Sequence, residues 1–142
     1  MPEIVDIPIV DLLLDPGNPR FKEEPRSQQE TALELAEKHG DHIVELAADV
    51  VDYGVDPLAL PAVIASGGTR TSYTVLEGNR RLLAIKALET PTLITPVLSS
   101  PAGKRLGELS KKYAKVPISS LSCALFDNEE EARHCFFLRH TG

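Results

Sequence analysis

The chain has 142 residues, 42% of them hydrophobic and 25% charged, and its 15 basic and 21 acidic side chains leave a formal net charge of −6. That length suits one domain, able to bury about 68% of the surface its unfolded chain exposes. The composition excludes a disordered chain, a membrane-spanning one, and a domain drawn to nucleic acid by overall positive charge, so any anion site must be local.

The start, Met1-Pro2-Glu3-Ile4-Val5-Asp6, has neither the basic opening nor the apolar stretch of a signal peptide, and the only cysteines are Cys123 and Cys135. A cytoplasmic, reducing location is expected. Ile4 to Val10 alternates as a strand, and Pro8, which cannot donate to a ladder, points to an edge or an early end. Asp11 to Leu14 reads as one helical turn. Asp15-Pro16-Gly17-Asn18-Pro19-Arg20-Phe21 is dense in turn formers, and its prolines stiffen the loop that carries Arg20. Taken alone, Arg20 is a solvated surface arginine.

From Ser27 to Lys38, Ala32, Leu33, Leu35 and Ala36 recur at helical spacing, with Ser27 as N-cap and Gly40 as the stop. A second helix is expected from Asp41 to Tyr53, burying Ile43, Val44, Leu46, Ala47 and Val50 before Gly54 and forming a hairpin with the first. His39 and His42 lie three apart near the junction; no Cys or acidic motif completes a metal set, so they read as solvated. Pro57 to Pro61 links to a short strand, Ala62 to Ala65. Ser66 to Arg70 is a hairpin loop whose Gly67-Gly68 pair lacks the lysine and hydroxyl of a phosphate loop, and Thr71 to Leu76 returns antiparallel.

Tyr73 to Leu76 is β-branched and aromatic, and Leu82, Leu83, Ala84, Ile85, Ala87 and Leu88 form a helix apolar nearly all round, hence buried. Between them Gly78 makes a tight turn and Asn79 is expected to cap the helix. Arg80 and Arg81 then fall in the first turn, where each cation costs about 0.3–1 kcal/mol against the helix dipole. Two compensations stand level on this chemistry: a bound phosphate held by free N–H groups and guanidinium forks, or an internal salt bridge to Glu77 or another carboxylate.

Pro91 and Pro96 bracket a short segment, and Pro101 opens a helix from Ala102 to Tyr113. Lys104, Arg105, Lys111, Lys112 and Lys115 make the one basic run, read as a solvated face in preference to a nucleic-acid contact. Val116 to Phe126 supplies another strand region. Asp127 or Asn128 caps a last helix from Glu129 to Leu138, anchored by Phe136, Phe137 and Leu138, and both cysteines read as small core residues. The abrupt stop at Arg139-His140-Thr141-Gly142 is the pattern expected of the N-terminal part of a longer protein.

The order of parts, an Ile-Pro-Ile strand, Leu12-Leu13-Leu14-Asp15-Pro16-Gly17-Asn18-Pro19-Arg20, helices, Asp56-Pro57-Leu58, then Leu76-Glu77-Gly78-Asn79-Arg80-Arg81-Leu82, resembles the ParB/sulfiredoxin superfamily, in particular its ParB-like N-terminal (ParB-like nuclease) domains. The match runs from Ile4 to Leu88, with residues 89–142 as a helical and strand extension of one domain spanning 1–142. Glu131-Ala132 and the last four residues resemble an extension found in ParB-like proteins of uncharacterised or defence-related type. The resemblance implies an α+β fold, a small mixed sheet packed with helices, whose glycine-arginine turn binds nucleotide phosphates. It matches Gly78, Arg80 and Arg81 to the phosphate-binding turn, Arg20 to a residue facing the same pocket, and Glu77 to the acidic residue that precedes the glycine in some nucleotide-hydrolysing members; beside it, Asn79 at the helix start is expected on the phosphates with Asn18 in support, and Glu77 is the candidate to orient a water or hold Mg²⁺. Two departures matter. Asn79 stands where sulfiredoxins need cysteine, and also where partitioning ParB proteins have glutamate ahead of a helix-turn-helix reader.

The leading expectation is therefore a nucleotide-binding module that takes a nucleoside triphosphate with Mg²⁺. It would be a slow NTPase at most, regulating a larger DNA-related or defence protein, with DNA met only through that protein and no membrane partner. The alternatives are a metal-dependent DNA nuclease, in which Asp15 would join Glu77 on a divalent ion, and a non-catalytic dimerisation or interaction domain.

Overall fold

The structure, a computed structural model, describes residues 2–17, 27–66 and 72–141, with side chains as far as Cys135. Expectations placed on Asn18, Arg20, the 67–71 loop and the side chains of Phe136, Phe137 and Leu138 lie outside the described residues.

The fold is α+β. Five strands, β1 (Glu3–Pro8), β2 (Leu12–Leu14), β3 (Ala62–Ala65), β4 (Tyr73–Glu77) and β5 (Ser120–Phe126), form one mixed sheet in the order β1-β5-β3-β4-β2. Four helices accompany it among the described residues: α1 (Gln28–Tyr53), α2 (Asn79–Glu89), α3 (Ser100–Tyr113) and α4 (Glu129–Thr141). None is long and apolar enough to cross a membrane. β1 is an edge strand that ends at Pro8, as a residue without an N–H requires. β3 and β4 form the expected antiparallel hairpin, Ala65 opposite Tyr73, while β5 runs parallel to β3 and antiparallel to β1. The strand from the last quarter of the chain thus lies inside the sheet, and residues 4–88 alone could not close it.

α2 is the centre of the core. Leu83, Ala84, Ile85 and Ala87 have no exposed surface and Leu82 and Leu88 only 1%, because α1 covers one side, α3 another and β2 lies beneath. This matches a helix without a polar stripe. α4 covers the other face of the sheet through a small cluster of Ala62, Phe126 and Ala132.

Four local expectations are corrected. Asp11 to Leu14 is not a helical turn. A single 3-10 turn occupies Ile9–Asp11, and Leu12–Leu14 is a strand parallel to β4, because pairing with Tyr73 to Val75 buries Leu12 and Leu14. The expected hairpin of two helices is one element kinked at His39, the two segments meeting without a loop. Gly40 does not stop a helix; a Cβ there would come within 2.8 Å of Leu98 Cδ2, so glycine permits the close approach of the segment before α3. Cys135 is exposed and Cys123 alone is a core thiol, its pKa pushed up to about 11 by burial and, secondarily, by Asp6.

The β2 edge is closed from α1. Gln28 Oε1 accepts from Leu14 N–H at 2.8 Å and Gln28 Nε2 donates to Leu14 O at 2.9 Å, so one side-chain amide stands in for a neighbouring strand. Gln28→Ala strands both groups and is expected to cost about 1–3 kcal/mol in denaturant unfolding, with Gln28→Glu, which keeps the acceptor, losing less. Equal stability of all three proteins would show that water replaces the amide at no cost.

Candidate anion-binding site

Gly78 opens α2 with φ +105° and ψ 16°, a left-handed conformation, and a Cβ there would stand 3.4 Å from Pro61. Only glycine takes that geometry without strain. Gly78 is therefore the N-cap and Asn79 the first helical residue, which corrects the expected cap at Asn79. The reason is visible in the Asn79 side chain, which is committed elsewhere. Its Oδ1 accepts from Asp15 N–H at 2.9 Å and its Nδ2 donates to Val75 O at 2.9 Å. Because Leu14 pairs with Val75 in the β2–β4 ladder, Asn79 supplies the next rung after β2 ends.

The other three helices have side-chain caps: Ser27 accepts from Glu30 N–H, Ser99 from Ala102 N–H and Asn128 from Glu131 N–H. Glu30 lies in the first turn of α1 and Glu129, Glu130 and Glu131 in that of α4. α2 has no side-chain cap, no acidic residue in its first turn, and two arginines there instead. Its first intrahelical bond is Leu82 N–H to Gly78 O, which leaves the earlier N–H groups outside the helical ladder.

Neither arginine meets Glu77 or any other carboxylate among the described residues. Arg80 is exposed, and its Nη1 stands 3.4 Å from His42 Nδ1. Arg81 is partly buried; its Nη1 is fully buried and has no hydrogen-bond partner among the described residues. A buried, unsatisfied guanidinium nitrogen costs more than an ordinary unmade hydrogen bond, because the charge has been taken out of water. Glu77 pairs with Ala62 across a shift of register that separates it from the Val63–Val75 pair, so it does not follow Val75 by simple alternation.

Asp15 lies just after β2. With Ile64, Ser66, Thr74, Leu76 and Glu129 it lines an open concavity of about 330 Å³, where the Ser66 and Thr74 hydroxyls bond at 2.8 Å. Burial raises the Asp15 carboxyl above its usual range, the Gly17 N–H opposes that shift, and nearby Glu129 adds to it. Among the described residues no group of three or more His, Cys, Asp or Glu is placed to hold a metal ion, and Glu77 is not among the residues that line the concavity with Asp15. The basic run on α3 is exposed at Lys104, Arg105, Lys111 and Lys112, with Arg105 Nη1 2.5 Å from Glu45.

Sequence reasoning missed the roles of Gln28, His39, His42 and the Asp15–Asn79 bond, since each depends on segments joined only by folding. One signal was present in the sequence: an asparagine directly after a turn glycine, which served equally for a cap or a clasp. Compared with known proteins, the chain matches no family description, no curated protein and no solved structure.

Proposed function

We propose that this domain binds the phosphates of a nucleotide at the start of α2, as a ParB/sulfiredoxin-like, cytoplasmic module of a longer protein. The observation that carries the reading is the buried Nη1 of Arg81, without a partner among the described residues, one residue from a second arginine, at a helix start with a left-handed glycine and no acid in its first turn. A polyphosphate offers what that arrangement lacks: negative charge for the dipole, acceptors for the free N–H groups, and a bidentate partner for a guanidinium. Asn79 supports the turn through its bonds to Asp15 and Val75, and contributes to a ligand through its backbone N–H. Arg20, the further arginine of the proposed site, lies outside the described residues.

Mg²⁺ would enter with the nucleotide, bound chiefly by phosphate oxygens and water, so that one carboxylate such as Glu77 is enough protein ligation. Any hydrolysis would rest on positioning by Glu77 and charge neutralisation by the arginines, and would be slow in the isolated domain.

Thermal unfolding with ATP, GTP, CTP and ADP, each with Mg²⁺, tests the proposal. A nucleotide at 100 times its Kd adds about 2.7 kcal/mol of stability. We expect a clear rise in Tm with at least one of them, reduced in Arg80→Ala. No shift with any of the four, at concentrations up to several millimolar, would overturn it.

A further inference from the structure

The kink of α1 lies beside the start of α2. A guanidinium only donates, so Arg80 Nη1 donates to His42 Nδ1 across their 3.4 Å contact. His39, the non-helical residue of the kink, has its pKa held below the usual value by desolvation and then by the charges of Arg80, His42 and Lys38. The nearby carboxylates are turned to other partners or to water. Glu34 meets Lys38 at 3.3 Å, Glu45 meets Arg105 of α3 at 2.5 Å, and Glu37 and Asp41 are exposed. α2 contributes Arg80 and Arg81, and the Thr95–Val97 turn packed on α1 has no titratable side chain. Two histidines and Arg80 therefore share one corner, and Arg81, whose buried Nη1 has no partner among the described residues, follows Arg80 on α2.

We propose that His39 and His42 form the second wall of the anion site and bind as imidazoliums, so that capture of a phosphate-like dianion takes up protons from solvent. This rests on the phosphate-binding reading of Arg80 and Arg81. Without a ligand, Arg80 donates to His42; with one, both donate to the anion, and mutual repulsion among the cations becomes common attraction to it. The sign follows. In the ligand-free protein the lowered His39 pKa means that the unfolded chain binds more protons, so this contribution to stability is present above pH 6.5 and is lost as pH falls through the folded value. A bound dianion raises the folded value and reverses the trend.

The probe is sulfate, which stays fully ionised across the histidine range, titrated calorimetrically from about pH 8 to about pH 5.5 into wild type, His42→Gln and His39→Asn/His42→Gln. Wild type should tighten by up to about tenfold per pH unit for each proton taken up, the single variant less, and the double variant by under about twofold over the whole range. His42 is exposed, so the single variant keeps the test alive should the double variant not fold. An equal pH dependence in wild type and His42→Gln would overturn the inference and leave the phosphate site standing. No binding of sulfate or tripolyphosphate to wild type at any pH would overturn both.

Discussion

Arg81→Met should leave the domain as stable as wild type, or more stable by up to about 1–2 kcal/mol, while weakening phosphate binding by about 10- to 150-fold. The two halves of this expectation have one cause. Nη1 of Arg81 is buried without a partner, and a polar group in that state costs about 1–3 kcal/mol. Methionine keeps the apolar stem that covers neighbouring surface and discards the charge. The same nitrogen, given a phosphate oxygen, makes a charge-assisted bond of about 1.5–3 kcal/mol, which sets the expected loss of affinity. Denaturant unfolding and nucleotide titration of the same two proteins check it. A marked fall in stability with no change in ligand response would mean that the guanidinium has an internal partner in solution, and the anion site would lose its main support.

Asn79→Ala is expected to cost about 2–4 kcal/mol, or roughly 6–15 °C in Tm, although nothing apolar of any size is removed. The substitution unbonds two backbone groups at once, Asp15 N–H and Val75 O, each held by the Asn79 amide at 2.9 Å. Both sites are partly buried, so water recovers some of the loss, which is why the lower half of the two-bond range applies. Asn79→Asp retains the acceptor for Asp15 and loses the donor to Val75, and should fall between the two in stability. It also places a negative charge beside Arg80 and Arg81 and should weaken anion binding. Thermal unfolding of the three proteins decides this. An Asn79→Ala protein as stable as wild type would show that the clasp between β2 and α2 is not made in solution.

The regular parts of the fold were legible because their signals are local. The all-round apolar face of Leu82 to Leu88 announced a buried helix, and its residues are at 0–1% exposure. Pro8 announced an edge strand or an early end, Ser27 a cap, Gly54 a stop, and the Asp127-Asn128 pair the start of the last helix, each through the chemistry of a residue and its immediate neighbours. The strand-glycine-helix turn with two arginines was equally plain, since Gly78 and the charges that follow it need no tertiary context to be noticed.

What the sequence by itself determined, then, was most of the elements, the position of the turn at Gly78 and the presence of two cations on a helix start. Tertiary structure alone decided how those elements meet. Leu12 to Leu14 became a strand because β4 was there to pair with it, and residues 120–126 entered the sheet between β1 and β3, a pairing between distant segments that no local propensity encodes. Gly40 reads as a helix stop until Leu98 is packed within 2.8 Å of where its Cβ would be. Asn79 reads as a cap until Asp15 and Val75 occupy its amide, and the choice between an internal salt bridge and an open anion site rested on whether any carboxylate came within reach of Arg81. A contact between residues far apart in the chain has its entropy of closure offset only by the whole packed core, so its existence follows from the folded molecule and from no shorter stretch of it.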